Sequence, residues 1–336
     1  MELSEDELIA AIRTLLSGDQ PGVVIGIGDD AAVVEAGTGQ PVLTTDMLIE
    51  GIHFELDSIS ARDLGAKAIA VNVSDVAAMA ASPRYALVSI GLTADVQAAW
   101  VVELYAGMRQ ACDEYALALL GGDTNRSGRV VLSVTVVGEV APGHAVTRAG
   151  AQPGDAIVVT GSLGAAAGGL ALSRLPPTRA SRLLSEPWAR ELLHALSRPV
   201  ARVGEGQTLA QAGATAMMDL SDGLAKDLSR LCAESGVGAR VELVKVPVAE
   251  PLRLGSPALG VDPLELAIGG GEDYELLATL DVTDLERART ELDERFGVRL
   301  TDVGFIVEDE GLVAVDADGR TSPLEPEGWD HFADGS

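Results

Sequence analysis

Basic residues are scarce: 24 Lys+Arg stand against 51 Asp+Glu, a formal net charge of −27. A chain this acidic cannot hold nucleic acid by basic patches, so no nucleic-acid partner is expected. Aromatic residues make up only 3%, and the core therefore has to be built from Ala, Val, Leu and Ile. The two cysteines, Cys112 and Cys232, lie far apart with no CxxC and no histidine cluster nearby. Neither a disulfide framework nor a zinc site is expected, and both read as packing residues. No stretch reaches the roughly 18 uninterrupted apolar residues of a membrane helix. The opening run Met1-Glu2-Leu3-Ser4-Glu5-Asp6-Glu7 has the wrong charge for a signal peptide. The expectation is a cytoplasmic protein with no membrane partner.

Hydrophobic residues account for 47% of 336 positions, which excludes acid-driven disorder and supports two domains of roughly 150 residues each. The Pro142, Gly143, Gly150, Pro153 and Gly154 cluster marks a boundary, giving domains 1–145 and 146–336. Ser4-x-x-Glu7 is a capping box before Leu8, Ile9, Ile12, Leu15 and Leu16, so a helix is predicted over about 4–16. Strands are predicted at 23–27, 31–34, 41–45, 85–92, 117–120 and 129–140, with helices at 60–81, stopped by Pro83, and 95–115. The second half continues as a mixture: strands at 156–160, 215–220, 240–244 and 274–280, helices after the glycine-rich turn at 161–169, and at 222–234 and 283–296. The tail after about 315 reads as turns. Both halves are α/β or α+β.

Most of the acids belong to solvated surface. Five motifs do not: Gly28-Asp29-Asp30, Thr44-Thr45-Asp46, Asp75, Gly121-Gly122-Asp123 and Asp219-Leu220-Ser221-Asp222 place Asp at the end of an apolar strand or inside an apolar helix. Asp75 is the clearest, sharing a helix face with Lys67 and Val71 in almost wholly apolar surroundings. Such carboxylates are costly unless paired or bound to a cation. Several of them, with Thr hydroxyls and glycines beside them, offer the oxygen ligands of Mg²⁺ and point to a multi-metal site for a phosphorylated ligand. Taken singly, each motif reads equally well as a cap or turn. Walker A and the kinase HRD and DFG elements are absent. The run Gly161–Gly169 follows a strand and opens a helix, where it could hold an anion or simply allow close helix–strand packing. The run Gly269–Gly271 by itself reads as a flexible turn.

Eight segments together resemble the thiamine-monophosphate kinase family: GIGDDAAVV (26–34), TTDMLIEGIHF (44–54), KAIAVNVSDVAAM (67–79), GGDTNRS (121–127), TRAGAQPGD (147–155), DLSDGLAKDL (219–228), GGGEDYEL (269–276) and GWDHF (328–332). The resemblance spans nearly the whole chain, with small departures at Asn125 and Ile268. It implies a two-domain aminoimidazole ribonucleotide synthetase-like fold of the α/β (α+β) class, a homodimer joined through the N-terminal sheet, and a C-terminal α/β domain completing the substrate site. The implied activity is ATP-dependent phosphorylation of thiamine monophosphate to thiamine diphosphate, with ATP as co-substrate and several Mg²⁺ ions. Carried over by motif, metal binding falls to Asp30, Thr44, Thr45, Asp46, Asp75, Asp123, Asp219 and Asp222. ATP contacts fall to Tyr105 (by spacing only), Gly122, Asp123, Arg148 and Ser221, and substrate contacts to His53, Glu272 and Trp329. The residue-level alternatives are core packing for Tyr105 and His53. The rival readings for the whole chain are a superfamily relative acting on another small substrate, and an acidic buffer of divalent ions.

Overall fold

The computed structural model describes residues 5–16, 20–27, 31–309, 311–326 and 328. By its internal contacts the chain falls into two compact units, Met1–Val76 with Ala81–Gly143, and Ala77–Ala80 with His144–Ser336. No helix among the described residues is long and apolar enough to cross a membrane.

The first unit runs α1 (Glu5–Leu15), β1 (Val23–Ile25), β2 (Val33–Val34), β3 (Gln40–Ile49), α2 (Ala61–Ala78), β4 (Ser82–Leu92), α3 (Ala98–Glu114), β5 (Ala118–Arg126) and β6 (Val131–Val140). Four strands form a sheet in the order β3-β6-β4-β5, antiparallel except for the parallel pair β4/β5 that α3 connects. Alternation sorts the side chains. Leu132, Val134 and Val136 of β6 with Val88 and Ile90 of β4 are buried, while Leu43 and Met47 of β3 and Leu87 of β4 stay exposed at 66%, 51% and 42%. Helices α2 and α3 touch backbone to backbone: a Cβ on Gly65 or Gly107 would lie 1.9 Å from the carbonyl oxygen of Leu104 or Arg62.

The predicted helix at the N-terminus is present and buries Leu8, Ile12 and Leu16. Ser4 of its capping box lies outside the described residues. Two expectations need correction. Strand β3 is ten residues long rather than five, because every residue from Gln40 to Ile49 finds a partner on β6, and β5 runs on to Arg126. Asp46 and Asp123 therefore sit within strands, not at their ends. The helix before Pro83 ends at Ala78, and Pro83 is the second residue of β4.

The second unit contains β7 (Ala156–Thr160), α4 (Ala165–Ser173), α5 (Pro177–Leu183), α6 (Pro187–Ser197), α7 (Val203–Gln211), β8 (Ala216–Asp219), α8 (Leu224–Ser235), β9 (Gly238–Glu242), α9 (Glu250–Leu259), α10 (Pro263–Gly269), β10 (Leu276–Leu280), α11 (Leu285–Phe296), β11 (Leu300–Val307), β12 (Gly311–Val315) and β13 (Thr321–Pro323). Its sheet has the order β13-β12-β9-β11-β7-β10-β8. Strands β7, β8 and β10 are buried along their whole length. That explains their mostly apolar runs: Ile157 and Val159 face one core, and Val158 faces another across the sheet. Both neighbours of β10 are antiparallel to it, so β7 and β8 point the same way and their C-terminal ends open at one edge. The tail predicted as turns instead supplies β13, which pairs with β12.

Candidate functional site

In the first unit the chemistry gathers where β3 meets α2. The Thr44 hydroxyl donates to Oδ2 of Asp75 at 2.6 Å, and the Asp46 backbone N–H donates to Oδ1 of Asn72 at 2.8 Å. The Asn72 amide is itself fixed, because its Nδ2 donates to the Ala68 carbonyl at 3.0 Å one turn earlier. Asn72, 1% exposed, escaped the sequence reading; its only signal was a polar residue three positions before Asp75 on an apolar helix. Strand alternation puts the Asp46 side chain on the same face as Thr44 and turns Thr45 to the other. The Thr45 hydroxyl accordingly bonds across the strands, donating to the Val134 carbonyl at 3.0 Å and accepting from Thr135 at 3.1 Å. The structure thus brings Thr44, Asp46 and Asp75 together and leaves the Thr45 side chain apart from them.

His53 follows β3 and is held by its own turn: Nδ1 accepts the Ile49 N–H at 3.0 Å, which leaves Nε2 as the protonated nitrogen. Gly122 lies against β4 so closely that a Cβ would meet the Val88 carbonyl oxygen at 1.7 Å. Only glycine lets β5 pass there and present Asp123, whose carboxylate accepts from the Asn125 amide at 2.7 Å. Tyr105 is buried in α3 at 5% exposure, and burial pushes its hydroxyl up to about 12. Its place is among the packing residues of that helix. Asp30 lies outside the described residues.

In the second unit three turns converge at the open edge of β7, β10 and β8. Asp219 ends β8 at 4% exposure. Beyond it, Leu220 donates to the Glu275 carbonyl at 2.8 Å, while the N–H groups of Glu272 and Tyr274 donate to the carbonyls of Ser221 and Leu220 at 2.8 and 2.9 Å. Asp222 pairs with Arg230 at 2.7 Å and Lys226 at 3.8 Å. This acid thus has two basic partners. Asp227, missed by that reading, is fully buried and accepts the N–H groups of Asp222 and Gly223 at 2.9 and 3.1 Å while binding Arg230 at 2.9 Å. Burial pushes its carboxyl up to about 6. The backbone of Arg148 is anchored by Ser235, which donates to its carbonyl at 3.0 Å, and its side chain is exposed. Trp329 lies outside the described residues.

The glycine-rich run resolves both of its readings. Its helix N-terminus does meet an acidic group, but that group is the chain's own: the Gly164 N–H donates to both oxygens of Asp273, at 3.0 and 2.8 Å. Gly168 and Gly169 serve close packing on a helix rather than a strand, since Cβ atoms there would meet Leu192 of α6. Beside this turn lies a cavity of about 510 Å³ lined by Ser162, Arg190, His194, Arg202, Glu272 and Asp273 among others. At its floor Arg202 clasps Glu275 through Nε and Nη2 at 2.8 and 2.6 Å, and Thr160 donates to the same carboxylate at 2.6 Å. Burial raises Glu275 above the ordinary carboxylate value, against the pull of Arg202, and it raises Asp273 well above that value.

Among the described residues, no three His, Cys, Asp or Glu side chains converge closely enough to hold a metal by themselves. The donor set at β3 and α2, two carboxylates and a hydroxyl, is nevertheless the hard oxygen chemistry that suits Mg²⁺, an ion that keeps waters and shares phosphate oxygens. These residues fit such an ion as partial ligands.

Two family models match: AIR synthase related protein, N-terminal domain, over residues 28–140, and its C-terminal domain over residues 152–317. The thiamine-monophosphate kinase of Aquifex aeolicus is 37% identical over 98% of this chain and 99% of its own length. Among solved structures, the thiamine-monophosphate kinase of Stenotrophomonas maltophilia is 35% identical with a TM-score of 0.80, covering 96% of this chain and 99% of that one. A second, described as AaThiL complexed with AMPPCP and TMP, is 35% identical with a TM-score of 0.74 and covers 98% of both chains.

Proposed function

The chain belongs to the AIR synthase related family and, within it, to the thiamine-monophosphate kinases, and on that premise we propose that it transfers the γ-phosphate of ATP to thiamine monophosphate. The products are thiamine diphosphate and ADP. The bond from the γ-phosphorus to its bridging oxygen breaks, and one forms to an oxygen of the acceptor phosphate. The observation that carries this reading is identity of 37% to a thiamine-monophosphate kinase over 98% of the chain.

The acceptor is ionised at neutral pH, so direct in-line attack needs no strong base, and the residues act by positioning. Neither cysteine competes as a nucleophile, because burial pushes Cys112 up to about 12 and Cys232 to about 11. In the first unit Asp30, Thr44, Asp46, Asp75 and Asp123 would hold Mg²⁺, as would Asp219 and Asp222 in the second. When bound, these ions supply the positive charge that lets a triphosphate approach carboxylates. Gly122, Arg148 and Ser221 contact ATP, and His53, Glu272 and Trp329 contact the acceptor. The cavity beside Glu272 supports a small heterocyclic acceptor, and Trp329 offers a ring to stack on the cationic thiazolium. A cytoplasmic location goes with this reading, since the reaction draws on ATP.

A homodimer through the open face of the first sheet goes with this reading. Leu43, Met47 and Leu87 expose apolar side chains on that face, the kind of surface an association site offers. Leu43→Asp should shift the sedimentation coefficient to that of a monomer; an unchanged value rejects that face. For the reaction, purified protein incubated with ATP, Mg²⁺ and thiamine monophosphate should form thiamine diphosphate and ADP one for one. ATP consumption without thiamine diphosphate would point to a relative with another substrate, and metal binding without ATP affinity to an ion buffer.

A further inference from the structure

The segment Gly269–Leu276 contains two carboxylates, Asp273 and Glu275, that the reaction as described does not use. We propose that Asp273 is a positioning residue: by bonding Gly164 at the start of α4, its carboxylate fixes the direction of Glu272 and thereby the affinity for the acceptor. The inference rests on the reading of Glu272 as an acceptor contact.

Three observations carry it. Both residues beside Asp273 have left-handed backbones, with φ of +67° at Glu272 and +51° at Tyr274, a conformation that L-residues hold only when their surroundings over-determine it. The backbone bonds to Leu220 and Ser221, each 2.8–2.9 Å, tie those two residues on one side. The Asp273 carboxylate ties the segment on the other, toward Gly164, 109 residues away in the chain. Glu272 and Asp273 line the same cavity, whose floor the Arg202–Glu275 pair makes rigid. With the Asp273 anchor gone, the backbone at Glu272 is free to relax toward ordinary φ values, and its side chain would swing with it.

The test is a double-mutant cycle in the full chain, with thiamine monophosphate and ATP varied separately. Asp273→Ala should raise KM for thiamine monophosphate about tenfold, the loss expected for one buried hydrogen bond, while kcat and KM for ATP stay within about twofold. Asp273→Asn keeps an acceptor oxygen for Gly164 and should restore most of that affinity. The double variant Glu272→Ala/Asp273→Ala should be no worse than Glu272→Ala alone. Additive losses, or a fall in kcat with no change in that KM, would make Asp273 merely structural and overturn the proposal. If Asp273→Ala does not fold, Asp273→Glu displaces the carboxylate by one methylene and should raise the same KM; a wild-type KM overturns the proposal. An inert Glu272→Ala in an active enzyme overturns it while leaving the kinase reading intact. If no thiamine diphosphate forms, the kinase reading falls and amide exchange decides: exchange at Glu272 and Tyr274 should quicken in the Asp273 variants that lose the bond to Gly164, and unchanged exchange overturns the proposal.

Discussion

In the first unit Asp75 takes a hydrogen bond from the Thr44 hydroxyl and Asp123 one from the Asn125 amide, whereas in the second Asp222 and Asp227 share the guanidinium of Arg230 and Glu275 is clasped by Arg202. A hydroxyl or an amide orients a carboxylate with a neutral donor; an arginine orients it with a charged one and offsets the charge. The acids on β3, α2 and β5 are among those we propose for a cation. Several in the second unit fasten loops, as Asp227 does for the turn at Asp222 and Gly223.

The largest expected effect tests the first half of that contrast. Asp75→Asn, which preserves shape and can still accept from Thr44, should lower kcat/KM by on the order of 10²–10³ because a fixed charge at the reacting phosphates is lost, with an almost unchanged thermal midpoint. Asp222→Asn, whose charge Arg230 already offsets, should cost clearly less. Equal losses would break the comparison. The second half is tested by Asp227→Ala, which strands one buried and one part-buried N–H group and should cost about 1–3 kcal/mol in urea denaturation; full stability would show that the turn does not depend on this carboxylate. Thr44→Val sharpens the contrast: losing one hydrogen bond to a charged group should lower kcat/KM about tenfold, with Thr44→Ser restoring it. A Val variant as active as wild type would mean that Asp75 needs no orientation.

The smallest effect is one of pH. Burial raises Asp273 well above its ordinary 3.8, so the folded chain keeps this proton at pH values where the unfolded chain has lost it. Stability therefore falls as pH rises through the window from the unfolded value to the folded one. Asp273→Asn has no proton to lose, so its thermal midpoint should gain on that of the wild type as pH rises from about 4 toward neutrality. A constant difference across that range would contradict the direction assigned here.

What could be read from the residues was local. A carboxylate inside an apolar helix, like Asp75, stands out because its neighbours make it costly, and the three strands β7, β8 and β10 show themselves as mostly apolar runs. Partnerships between distant segments do not. Arg202 and Glu275 are 73 residues apart and Gly164 and Asp273 are 109 apart, and in sequence each looks like an ordinary surface charge or turn glycine. Asp227 hid in the same way, as one more acid on the polar stripe of an amphipathic helix, until folding placed it under its own N-terminal turn. The full length of β3 was hidden because Asp46 is a poor strand former by itself; pairing with β6 along all ten residues overrides that preference.

That ten-residue strand has two tasks interleaved at a period of two. Thr44 and Asp46 look toward α2 and the chemistry, while Leu43, Thr45 and Met47 look toward the open sheet face. Adding or deleting one residue ahead of it would turn the whole strand over, handing leucine and methionine to the side proposed for the phosphates and an aspartate to the face proposed for assembly. Drift in length there is thus barred twice, and loop-length variation in relatives of this chain should gather before Gln40 or after Ile49 only where the phase of that alternation is kept.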